Sequence, residues 1–113
     1  MKAAPFAKNE LGRITALADL ALDYSNLKET FKDLVTLAAK VTGSPIAMVN
    51  IIDNYTTWTV CSYGFDVEQT PRDESICQYT ILENEEFAVN NLKLSPIFNE
   101  EGFVTGEPNF RFY

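Results

Sequence analysis

Histidine is absent from the sequence. That removes every Ser-His-Asp or Cys-His catalytic pair, every histidine phosphorelay site and every His-ligated zinc. Cysteine is scarce: Cys61 and Cys77 cannot assemble a four-cysteine metal cluster. Two are also too few for a disulfide-dense secreted scaffold, so a reducing, cytoplasmic setting is expected. No apolar run approaches the roughly 18 residues of a membrane span, and residues 1–5 open no long apolar signal stretch. Positive charge is short as well. Nine Lys and Arg face 16 Asp and Glu, a formal net charge of −7, and such a surface repels nucleic acid and anionic membranes. The expectation is therefore no nucleic-acid partner, no membrane partner, no metal and no cofactor that the sequence can name.

What is present suits an ordinary folded domain. The 113 residues are 46% hydrophobic and 22% charged, enough for one domain spanning 1–113 with one core. Asn9 is an expected N-cap, and Leu11, Ile14, Leu17, Ala18, Ala21 and Leu22 follow near helical spacing. Gly12 weakens that helix by roughly 1 kcal/mol relative to alanine. Asn26 and Glu29 form a capping-box pattern ahead of an apolar stripe of Leu27, Phe31, Leu34, Val35, Ala38 and Val41. Gly43 supplies a left-handed stop and Pro45 prevents resumption. The N-terminal helices thus occupy about 9–43.

The region from about 45 to 113 holds a sheet and its loops. Ile46 to Ile52 is apolar at nearly every residue, as for a strand covered on both faces. Asp53-Asn54 is a turn signal, and Tyr55 to Tyr63, rich in Thr, Val, Tyr and Trp, is the expected return strand. Residues 66–73 read as a polar loop; Asp73, Glu74 or Ser75 would cap a short helix reaching Leu82. Phe87-Ala88-Val89 reads as a short strand. Pro96, Gly102, Gly106 and Pro108 interrupt the remainder. The order helix, helix, hairpin, loop-helix, strand, loop predicts an α+β domain.

Four stretches resemble the GAF family, small sensory domains related to PAS domains. These are Asn9-Glu10 through Leu22-Asp23, FKDLVTLAAKVTGSPIAMVNIID from Phe31 to Asp53, TPRDESICQYTIL from Thr70 to Leu82, and FNEEGFVTGEPNFRFY from Phe98 to Tyr113. The resemblance implies an antiparallel sheet flanked by N-terminal helices, of the kind found near the N-terminus of bacterial signalling proteins, often ahead of a kinase or cyclase domain. Departures accompany it. Gln78 and Tyr79 follow Cys77 where a His often does, and Asn91 and Ser95 stand at positions that are often acidic. The family usually continues beyond RFY into two more strands and a helix, so the sheet is expected to be incomplete at the C-terminus. Ile46 to Ile52 would then present an apolar edge, to be covered by a second copy, by a rearranged segment from 87–113, or by the rest of a longer parent protein.

Candidate site residues carry two readings each. Arg72 with Ser75 and Cys77, after Pro71, would line a ligand site at a helix N-terminus, as the resemblance implies. The plainer reading has Arg72 tie its loop to Asp73 or Asp66 while Ser75 merely caps. Trp58, Phe65 and Phe87 would wall a small-molecule pocket, or simply pack. Cys77 and Cys61 read as inert packing rather than as a methionine sulfoxide reductase-like thiol pair or a bilin attachment point. Asp23, Asp33, Glu83, Glu85, Glu86, Glu100 and Glu101 are scattered and form no catalytic pair. The expected function is a sensory or regulatory domain, not an enzyme, that binds a small ligand or partner and relays it through helix packing. The alternative is a ligand-free interaction or dimerisation module. A homodimer is expected through Leu11, Ile14, Leu17, Ala18 and Ala21.

Overall fold

The computed structural model describes residues 6–23, 26–106 and 109–113; residues 1–5 and Pro108 lie outside these. Helix α1 spans Glu10–Asp19 and α2 spans Lys28–Thr42. Strands β1, Ala47–Ile52, and β2, Thr56–Tyr63, form an antiparallel hairpin. Strand β3, Gln69–Pro71, pairs with the first part of β2, giving an antiparallel sheet of order β1-β2-β3. A 3-10 turn at Arg72–Glu74 leads to α3, Cys77–Thr80. A second 3-10 turn at Leu92–Leu94 precedes α4, Gly102–Thr105. The class is α+β, as the element order predicts.

The local rules hold at α2 and bend elsewhere. Gly43 closes α2 in the left-handed conformation with φ 70°. The capping box does not form, because Leu27 is the N-cap and Asn26 Nδ2 instead donates to Asp23 Oδ2 at 2.9 Å. Helix α1 stops at Asp19, before Ala21, whose φ of 49° excludes it from the helix. Asn9 makes no side-chain cap. Of the three caps expected for the short helix reaching Leu82, Asp73 and Glu74 lie in the 3-10 turn and Ser75 is extended ahead of the helix, which is only the four residues of α3 and stops at Thr80. Residues 69–71, expected as loop, extend the sheet.

Helix α2 packs on β2 and β1, but with a different edge of its stripe than the spacing suggests. Val35 and Ala39 are buried, while Leu34, Leu37 and Val41 are exposed. Apolar periodicity marks a stripe wider than the face the sheet accepts. Strand β1 is half-buried along most of its length rather than covered on both faces, and begins at Ala47, not Ile46. Among the described residues its outer edge pairs with no strand.

The C-terminal segment, irregular as expected, nevertheless holds a core of its own. Ile76, Leu92, Phe98 and Val104 are buried together, with Tyr79, Phe87, Val89, Phe103, Phe110 and Tyr113 against them. Edge-on ring contacts join Tyr79 to Phe98 and Phe87 to Phe98. Phe87 to Val89 forms no ladder strand. Val89 instead exchanges both backbone hydrogen bonds with Tyr113, at 2.7 and 3.0 Å, and Leu92 donates to the Arg111 carbonyl. The described residues of 87–113 therefore bond among themselves at these points and do not pair along β1.

Gly64 is required by its surroundings. Its φ is 80°, and a Cβ there would run into the Pro45 carbonyl. Gly64→Ala is expected to destabilise the chain by more than about 1 kcal/mol. Gly12→Ala, in α1 with open space around it, is expected to stabilise by up to about 1 kcal/mol. Urea unfolding of the two variants checks both signs.

Candidate functional site

The most constrained charge in the chain is Arg72. Pro71 directs the chain out of β3, and the Arg72 N–H donates to the Tyr55 carbonyl at 2.8 Å, fixing the residue against the hairpin turn. Its side chain is only 2% exposed. A guanidinium cannot shed its charge, so burial demands a counter-ion. Glu10, in the first turn of α1, supplies it: Arg72 NH1 donates to Oε2 at 2.6 Å and NH2 to Oε1 at 3.2 Å. NH1 also lies 3.4 Å from the Asp53 and Asn54 carbonyls, and the Phe6 ring sits 4.5 Å from the guanidinium carbon.

Arg13, one turn along α1, takes the same carboxylate from the other side, with Nε to Oε1 at 3.1 Å and NH2 to Oε2 at 2.9 Å. Its NH1 donates to the Ile52 carbonyl at the end of β1. One carboxylate thus holds two guanidiniums and joins α1, the end of β1, the hairpin turn and the exit of β3. The hydrogen bonds from Arg72, then those from Arg13, lower the Glu10 pKa from 4.5 to about 2. Glu10 and Arg13 were not among the sequence candidates. Their i, i+3 spacing was a signal, but the partner lies 62 residues away. Arg72 is tied by Glu10, not by Asp73 or Asp66.

Ser75 caps, as the plainer reading has it. Its hydroxyl donates to the Arg72 carbonyl at 2.8 Å and accepts from the Gln78 N–H at 3.3 Å. Gln78, standing where a His often does in resembling domains, donates Nε2 to the carbonyls of Asp73 and Ser75. Cys77 belongs to a polar chain. Thr59 Oγ1 donates to Asn50 Oδ1 at 2.8 Å, and Asn50 Nδ2 donates to Cys77 Sγ at 3.3 Å. Cys77 Sγ lies 3.4 Å from the Tyr113 hydroxyl, which is 2.8 Å from Thr80 Oγ1. Burial, reinforced by Cys77, pushes the Tyr113 hydroxyl pKa upward, so it stays protonated. Both cysteines are free, and Cys61 is buried.

Trp58 lies elsewhere, in a groove of about 450 Å³ lined by Lys28, Trp58 to Ser62 and Asp66 to Glu68. Phe65 packs edge-on against Phe110, ring centres 5.5 Å apart. Phe87 belongs to the C-terminal core. The structure therefore brings Arg72, Ser75 and Cys77 into one short segment leading into α3, and places Trp58 in a separate groove and Phe65 against Phe110. Among the described residues no group of three or more Cys, Asp or Glu is arranged to hold a metal, and no helix is long and apolar enough to cross a membrane.

No family model matches the chain. Over all 113 residues it is 34% identical to a cyclic di-GMP phosphodiesterase of Pseudomonas aeruginosa, and it spans 19% of that protein's length. The chain is thus similar along its whole length to a domain-sized segment of a bacterial signalling protein.

The Glu10 clasp carries a pH signature. Because the folded-state pKa is depressed, its contribution is fully present above the ordinary carboxylate range and is lost as pH falls from about 4.5 towards about 2. Glu10→Gln is expected to lower stability at neutral pH and to flatten that acid limb. Denaturant midpoints measured across this range in both proteins check it.

Proposed function

We propose that the chain is a GAF-like regulatory domain of a bacterial signalling protein, acting through the packing of α1 rather than through chemistry of its own. The observation that carries this reading is how α1 is held. None of its residues is buried, and Leu11 and Ala18 are exposed while Ile14 and Leu17 are half-buried. The Glu10–Arg72 pair, reinforced by Arg13, is its main polar tie to the sheet. A helix attached mainly by one ion cluster shifts when the loop at 72–77 shifts, and that is the coupling a regulatory domain needs. Similarity to a segment of a phosphodiesterase and the four GAF-like stretches support the same reading. A small ligand at the 72–77 loop or in the Trp58 groove would act on this coupling, and an output domain, kinase, cyclase or phosphodiesterase, would receive it. The apolar residues of α1 would pair with a second copy.

One observation favours the second reading, a ligand-free interaction module. The Arg72 terminal nitrogens, the Ser75 hydroxyl and the Cys77 thiol already have partners inside the chain, which leaves few polar groups beyond the buried, unpartnered Arg72 Nε to greet a ligand.

Arg72→Lys keeps the charge but loses the bidentate grip. Amide exchange in α1 is expected to quicken about tenfold, for about 1.4 kcal/mol of lost local stability, with β1 and β2 unchanged. Unchanged exchange in α1 would show that the helix is held by something else and would remove the proposed relay.

A further inference from the structure

The outward face of α2 is a second and separate surface. Leu34, Leu37 and Val41 are 54%, 60% and 76% exposed, with Thr30 one turn earlier on the same stripe. The intervals of four, three and four residues are those of a coiled-coil seam. Val35 and Ala39, buried against the sheet, lie on the other side of the helix, so the seam points away from the domain. Asp33 and Lys40 flank it on one side, seven residues apart. Among the described residues neither makes an ion pair within the chain.

We infer that this face docks a second copy of the chain, with the two α2 helices antiparallel. The charges choose the partner and the direction. A two-fold axis between residues 35 and 36 sets Leu34 of one copy against Leu37 of the other, and Val41 against Thr30. Asp33 of each copy then comes beside Lys40 of the other, twice by symmetry. A parallel arrangement would place Asp33 level with Asp33 and Lys40 level with Lys40, with no compensating charge on the opposite flank, where Ala38 stands. The surface is distinct from the α1 face and does not depend on the regulatory reading.

Sedimentation of the full chain and of three exposed-surface variants tests the inference. The parent is expected to dimerise at high micromolar concentration. Asp33→Lys and Lys40→Asp, each of which turns two attractive pairs repulsive, are expected to weaken dimerisation roughly tenfold. The double variant Asp33→Lys, Lys40→Asp is expected to restore it. Matching amide spectra confirm that all variants are folded. A parent that stays monomeric overturns the inference. So does a double variant that fails to recover, or a dimer indifferent to every change, which would place the contact at α1, at the β1 edge or elsewhere.

Discussion

A buried guanidinium is the constraint from which most of this structure follows. Arg72 is almost wholly removed from water, and withdrawing one of its partners would strand a charge at a cost of about 3–5 kcal/mol. Its requirement is met by segments far apart in sequence. Glu10 comes from α1, the carbonyls of Asp53 and Asn54 from the hairpin turn, and the Phe6 ring from the chain ahead of α1. Each of these must stay in place for the charge to be tolerated. The ion cluster therefore specifies where α1 lies, which an otherwise unburied helix of ten residues could not do through apolar contact alone.

The division between what the sequence made legible and what it did not follows from the range of each interaction. Helix α2, its Gly43 stop and the β1–β2 hairpin were readable, because periodicity, a left-handed glycine and an Asp-Asn turn are local signals. The face of α2 that meets the sheet was not. Leu27, Phe31, Leu34, Val35, Ala38 and Val41 form one broad stripe, and only tertiary packing decides that Val35 and Ala39 go inside while Leu34 and Val41 stay out. At the candidate site Ser75 carries two readings, ligand contact and cap, and its bonds to the Arg72 carbonyl and the Gln78 N–H are those of the second. Arg72 was read as a residue needing an anion, but not the anion it takes. A carboxylate 62 residues upstream leaves no mark beyond the Glu10–Arg13 spacing.

The C-terminal segment fails a sequence reading for another reason. Its prolines and glycines correctly exclude long elements, yet Leu92, Phe98 and Val104 are among the best-buried side chains in the protein. Aromatic rings compensate for the missing ladders, since each removes a large apolar area from water without needing regular backbone. The backbone groups are satisfied piecemeal, by Val89 with Tyr113 and Leu92 with Arg111. A segment can lack secondary structure and still be core.

The free edge of β1 is less bare than an apolar run from Ile46 to Ile52 suggests. The Asp53 N–H donates to the Thr56 carbonyl, so Ile52 opposite Thr57 is a pair whose backbone groups point away from β2. Arg13 from α1 takes the Ile52 carbonyl. Two residues back, the register shifts between Val49 and Asn50, and such a bulge adds twist that spoils a flat template. The edge is thus blocked at one end by the same arginine that grips Glu10 and is bent near its middle. What recruits a strand is a long, straight row of open groups, and here only short stretches of one remain. An exposed seam on α2, whose Asp33 and Lys40 a two-fold axis would pair, offers a second copy more than this edge does.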